Sequence, residues 1–172
     1  MDIECTNEEL FIFKKISEAG EELSMPVYII GGFVRDKIMN RRTKDADIVC
    51  LGDGIKLAKK VAEFFHPAPE VAVFKNFGTA QIKIFSNNSA NHSSEGNKDE
   101  QAFHIEFVGA RTESYSYDSR KPAVGPGTLE QDRMRRDFTI NTLALSLNKN
   151  DFGKLIDPLG GAADIEKKII KT

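Results

Sequence analysis

A chain of 172 residues, 40% hydrophobic and 29% charged, has the size and make-up of a single water-soluble domain able to bury a real core. No stretch approaches the length of a membrane span, and the acidic residues 1–9 lack the apolar core of a signal peptide, so the cytosol is the expected compartment. A net charge of -2 excludes a polycation that binds nucleic acid by bulk charge; positive charge is local, in Arg41, Arg42 and Lys44, in Arg111, Arg120 and Lys121, and in Arg133, Arg135 and Arg136, which suits a triphosphate or a strand end better than a long duplex.

Residues 7–19 form the first predicted helix. Leu10, Phe11, Phe13 and Ile16 give it a broad apolar stripe, Thr6 or Asn7 caps it, and Gly20 is expected to end it. This helix reads as packing. The apolar run 27–30 is short enough for one buried strand, and Gly31 and Gly32 interrupt it. A helix-length segment follows at 33–40. Then Asp45 and Asp47 flank Ala46 and lead into Ile48, Val49, Cys50 and Leu51, a strand whose first turn carries two carboxylates.

Side chains alternate along a strand, so Asp45 and Asp47 point the same way. Two carboxylates on one face repel unless a cation sits between them. Hard ions such as Mg²⁺ bind through one or two carboxylates plus substrate phosphates. The two glycines let a phosphate approach the backbone, the N–H groups of the following helix attract anions, and Arg35 on that helix offers a forked, permanently charged donor. Taken singly, Gly-Gly is a turn and Asp-x-Asp a solvated strand start. In strand, glycine, helix, strand order they favour a metal-assisted phosphoryl site.

A helix is expected at 55–65, with its lysines on a solvated face, then a proline-containing loop at 66–70 and a short strand at 71–74. After a turn at 77–79, alternation over 80–85 predicts a strand with one wet face. Residues 86–101 are polar throughout and read as a mobile insertion between strands. In the strand 103–108, Phe103, Ile105 and Phe107 share one face and His104, Glu106 and Val108 the other. Glu106 either faces solvent or joins Asp45 and Asp47 as a third carboxylate.

Residues 112–127 are polar and broken by Pro and Gly, and read as a long flexible loop. Within 129–141, Arg135-Arg136-Asp137 is the second dense charge constellation. Its guanidinium groups suit a triphosphate or a ribose hydroxyl, with Asp137 orienting them; the alternative is a salt-bridged helix start capped by Asp137 or Thr139. A strand at 143–147, a turn at 157–161 and a helix beginning at 162–170 complete the chain. Cys5 and Cys50 show no metal or redox spacing, and Cys50 falls in a buried strand as a structural thiol. No Walker-type loop, dinucleotide fingerprint, Ser-His-Asp or Cys-His arrangement is present.

The residues 31–36 (Gly-Gly-Phe-Val-Arg-Asp), 45–47 (Asp-Ala-Asp) and 135–141 (Arg-Arg-Asp-Phe-Thr-Ile-Asn) resemble the head domain of the class II tRNA nucleotidyltransferase and bacterial poly(A) polymerase family, and Asp157-x-x-x-Gly161 resembles that family's next, hinge-like motif. The resemblance implies an α+β, polymerase-β-like nucleotidyltransferase fold: a mixed, mostly five-stranded sheet flanked by helices. It implies two-metal transfer of a nucleotide from CTP or ATP to the 3′ end of tRNA or another RNA. Asp45 and Asp47 would hold Mg²⁺, with Glu106 as candidate third carboxylate. Gly31, Gly32, Arg35 and Arg136 would meet the triphosphate, and Asp137 the ribose. Residues 1–172 would be one head domain, with a neck helix starting near 162–172 and the family's neck, body and tail absent. A poly(A) polymerase head and a non-catalytic nucleotide-binding module are the rival readings.

Overall fold

The computed structural model describes residues 1–85, 102–114 and 123–172. The expected insertion at 86–101 and the basic pair Arg120 and Lys121 lie outside the described residues. The sheet is mixed and has seven strands among these residues, not five. β1 (Val27–Ile30), β2 (Asp45–Cys50), β3 (Val71–Phe74), β4 (Thr79–Phe85), β5 (Ala102–Gly109), β8 (Ala144–Ser146) and β9 (Leu155–Ile156) lie in the order β3-β4-β5-β2-β1-β8-β9. The extra width comes from β3 and β9, edge strands of four and two residues. Only β2 and β5 run parallel; every other neighbour in the sheet is antiparallel.

The strands' alternation sorts the molecule into two faces. On the first, Ala46, Ile48 and Cys50 of β2, Ile105 and Phe107 of β5, and Ala80 and Ile82 of β4 pack with α1 (Asn7–Glu22), α2 (Gly32–Ile38) and α3 (Gly54–Ala62) in the main core. Phe13, Phe33 and Phe103 close it as three edge-on rings, with centroids 5.2–6.2 Å apart. On the second face a smaller cluster of Ile30, Val49, Ala110 and Ala144 is roofed by Leu129 of α4 (Leu129–Met134). Along β2 this second face reads Asp45, Asp47, Val49, so it begins with carboxylates and ends in a core.

Helix ends follow their caps. Thr6 and Glu9 form a reciprocal capping box at α1, Asp53 accepts from Ile55 and Lys56 N–H at α3, and Thr128 with Gln131 closes the start of α4. Gly20 does not end α1, which runs on to Glu22. A Cβ there would lie 2.5 Å from Val27 Cγ2, so this glycine lets the helix approach β1. Of the expected loop at 112–127, residues 115–122 lie outside the described residues, and the two flanks are strands. β6 (Arg111–Ser114) and β7 (Ala123–Pro126) pair as an antiparallel ribbon beside α4. The last helix, α5, spans Gly161–Glu166 and is shorter than expected. No helix among the described residues is long and apolar enough to cross a membrane.

Candidate active site

The site forms where the end of β1 meets the start of β2. Antiparallel pairing sets Ile30 opposite Asp47, so the turn that follows Ile30 sits at the mouth of β2. Gly31 has φ 77° and ψ −124°, a conformation open in practice only to glycine. It is buried, and its N–H donates to the Leu143 carbonyl at 2.9 Å. Gly32 starts α2, which ends at Ile38. With only seven residues in that helix and the Gly31 N–H held by Leu143, an anion here would rest on the N–H groups of Gly32 and the residues just after it.

Asp45 and Asp47 share one face of β2 and are both exposed at its mouth. Parallel pairing places Glu106 of β5 level with Asp47, and His104 level with Asp45. Glu106 therefore stands on the carboxylate face, where Gln81 Nε2 donates to its Oε2 at 3.4 Å. Burial raises the pKa of Asp47 above its ordinary value; neighbouring Glu106 and Asp45 push it further up, while Arg136 opposes them. Although Asp47 keeps a wet face, the packed sheet beneath it disfavours the bare charge, and a cation between the carboxylates relieves that.

Among the described residues no three His, Cys, Asp or Glu side chains close into a complete metal cage. The donors at hand are two carboxylates at an open strand mouth with a third on the adjacent strand. That set fits a hard divalent ion completed by substrate oxygens, and does not fit a closed structural metal.

The 135–141 segment folds onto the glycine turn. Arg136 Nη1 lies 3.0 Å from where a Cβ on Gly31 would be, and its Nη2 donates to Asp132 Oδ2 at 3.3 Å. Arg35 is more committed than its sequence position suggests: its Nε donates to Asp36 at 2.9 Å and its Nη1 to Asn141 Oδ1 at 2.8 Å. Its Nη2 folds back to within 3.8 Å of the Cβ position of Gly32. Asp137 is exposed, one residue past Arg136. The α-helix of this segment precedes the arginines: α4 ends at Met134 with Arg135 as its C-cap, and the short 3₁₀ turn Thr139–Asn141 that follows the charges has no side-chain cap from Asp137 or Thr139. Asp157 accepts from Gly161 N–H at 2.7 Å and Ala162 N–H at 2.9 Å, capping α5, and Thr139 Oγ1 donates to Asp164 at 2.6 Å.

Asp45, Asp47, Glu106, Gly31, Gly32, Arg35 and Arg136 thus meet at one end of the sheet. Asp132 and Gln81 also belong to the cluster and were not singled out by sequence, and Asn141 was read there only as the end of the 135–141 motif, without a role. A carboxylate four residues before an arginine, or an amide on the wet side of a strand, has no signature without the burial and pairing shown here.

A mixed sheet carrying Asp-x-Asp beside a Gly-Gly turn, with helices against its other face, defines the polymerase-β-like nucleotidyltransferase fold. The chain belongs to the poly A polymerase head domain family, whose sequence profile matches residues 27–171. It is 38% identical over 149 residues to the A-adding tRNA nucleotidyltransferase of Aquifex aeolicus (strain VF5), an alignment covering 84% of this chain and 15% of that protein. A solved CCA-adding enzyme, apo form II, superposes with a TM-score of 0.79 at 32% identity, covering 98% of this chain and 36% of that one. A tRNA nucleotidyltransferase solved with a primer tRNA and an incoming ATP analog superposes with a TM-score of 0.70 at 34% identity, covering 91% and 38%. The chain thus spans between about a sixth and two fifths of the length of these relatives.

Proposed function

We propose that this domain is the catalytic head of a tRNA nucleotidyltransferase of the cytosol, transferring CMP or AMP from CTP or ATP to the 3′ end of tRNA. The oxygen of the terminal 3′ hydroxyl attacks the α-phosphorus, the bond to the β-phosphate breaks, and pyrophosphate leaves. Asp45 and Asp47 would hold Mg²⁺, which when bound supplies a more acidic hydroxyl and offsets charge on the leaving group. Glu106 deepens the negative field at that point. With the Gly31 N–H held by Leu143, the turn presents the N–H groups from Gly32 on to the phosphates, Arg136 adds its guanidinium edge, and Arg35 adds the Nη2 left by Asp36 and Asn141. Asp137, exposed beside Arg136, accepts from the ribose hydroxyl.

The observation that carries this reading is the alignment of Asp45, Asp47 and Glu106 on one face of two paired strands, with Arg136 lying across the glycine turn. Its support in kind comes from relatives named for adding A or CCA to tRNA. The test supplies the chain, within its native polypeptide, with tRNA lacking its 3′ end and follows incorporation from CTP and ATP. Cytidine then adenosine, or adenosine alone onto a CC end, supports tRNA maturation. Long adenosine tails support the poly(A) reading, and no incorporation by folded protein supports a binding module. Asp45→Ala and Asp47→Ala are expected to lower turnover by at least about a thousandfold while the protein stays folded. Unchanged turnover in either removes the metal assignment.

A further inference from the structure

Arg136 is gripped from behind by a residue outside the charge motif. Its Nη2 donates to Asp132 at 3.3 Å, and among the described residues Asp132 is the side chain it hydrogen-bonds. Asp132 is only 5% exposed, on α4 beneath the arginine. A carboxylate so enclosed is costly unless a cation faces it. The start of α4 is already closed by the reciprocal Thr128–Gln131 pair, so helix capping does not require this acid. Meanwhile Arg136 Nε is buried with no hydrogen-bond partner among the described residues. A guanidinium has five N–H donors in a rigid fork, so fixing one edge aims the others.

We propose that Asp132 is the positioning residue for Arg136, holding one Nη so that the rest of the guanidinium lies across the Gly31 turn with N–H groups left for an incoming triphosphate. The same grip keeps Arg136 from turning onto Asp47 and Glu106, where its charge would compete with a divalent ion for the carboxylates. The ligand side of this inference rests on the nucleotidyltransferase reading above. The anchoring itself does not, because it concerns how an arginine is held.

Two measurements separate these levels. Dissociation constants for ATP with Mg²⁺ are compared for the native polypeptide and for Asp132→Asn, Arg136→Ala and the double variant. Asp132→Asn is expected to weaken ATP about tenfold, the size of one charge-assisted hydrogen bond, and by less than about twofold once Arg136 is gone. Equal weakening in both backgrounds, or none in the first, overturns the proposal. Independently of any nucleotide, the Arg136 Nε–H signal in a ¹H–¹⁵N spectrum is expected to be sharp and slow to exchange in the native protein, and lost in Asp132→Asn. A signal that persists in that variant overturns the anchoring. Failure of the native protein to bind ATP, with the signal behaving as expected, removes the nucleotide reading and leaves the anchoring. Asp132→Glu, which keeps the charge, serves if the amide variant does not fold, and is expected to keep the signal; its loss in a folded Asp132→Glu protein counts against a charge-based grip.

Discussion

Asp47 carries an electrostatic burden at the strand mouth. Its pKa is raised in the folded protein, first by burial and then by Glu106 and Asp45, so folding favours the protonated acid. That contribution is fully present below the unfolded value near 3.8 and is lost as pH rises through the folded value. At neutral pH the ionised carboxylate therefore weakens the fold. Asp47→Asn is expected to melt about one or two degrees above the native protein at pH 7 without divalent ions, a gain kept small by the exposed side of the carboxyl group. The difference should vanish below about pH 3.8, and Mg²⁺ should raise the melting temperature of the native protein but not of the variant. Thermal melts across pH, with and without the ion, check all three points. The Asp-x-Asp pair was legible in the sequence because a strand's period of two leaves no choice of face. Whether Glu106 joined it was open, because the pairing of β2 with β5 crosses more than fifty residues and only the register decides it. Asp132 was illegible for another reason: in sequence it is one more acid in a charged run, and only its burial gives it meaning.

At the scale of elements, the two motifs work as one because several contacts fasten the 135–141 segment to its surroundings. Gly31 N–H reaches Leu143 just past its end, Arg35 reaches Asn141, and on the far side Gly161 packs flat against Thr139. A Cβ at Gly161 would lie 2.5 Å from the Thr139 carbonyl oxygen and 3.0 Å from its carbon, both of them backbone atoms unable to swing aside. Gly161→Ala is thus expected to cost about 1–3 kcal/mol and lower the melting temperature by about 3–10 °C. It should also weaken ATP, since the displaced segment carries Arg136 and Asn141; calorimetry beside a melting curve reads both. An unchanged melting temperature would mean that α5 shifts freely and does not brace the site. The helices of the first face were readable from their apolar stripes, apart from their ends. Gly20 misled because a glycine used for close approach looks, in sequence, like one used to stop a helix. The β6–β7 ribbon was hidden because β6 is polar throughout and β7 carries Gly125 and Pro126, so neither shows the apolar alternation that marks a strand buried on one side.

For the molecule as a whole, the sheet separates bulk stability from chemistry. The first face holds the large core against α1, α2 and α3; the second holds, among the described residues, an apolar cluster of four buried side chains and the carboxylates. Ile82 belongs to the first and Ile30 to the second, and both are at most 1% exposed. Truncating either to alanine is expected to cost about 2–5 kcal/mol, a large share of the roughly 5–15 kcal/mol that holds such a domain together. Their effects on the site should differ. Ile30 is the direct cross-strand partner of Asp47 and the last residue before the glycine turn, so a cavity there loosens the floor on which the carboxylate and the turn stand. Ile82 lies on the opposite side of the sheet, among side chains that never face the site. At a temperature where both variants remain folded, Ile30→Ala should weaken ATP binding several-fold per folded molecule, and Ile82→Ala should leave it unchanged. Equal weakening in the two would show that the site follows global stability alone, and that the division of labour between the faces does not hold.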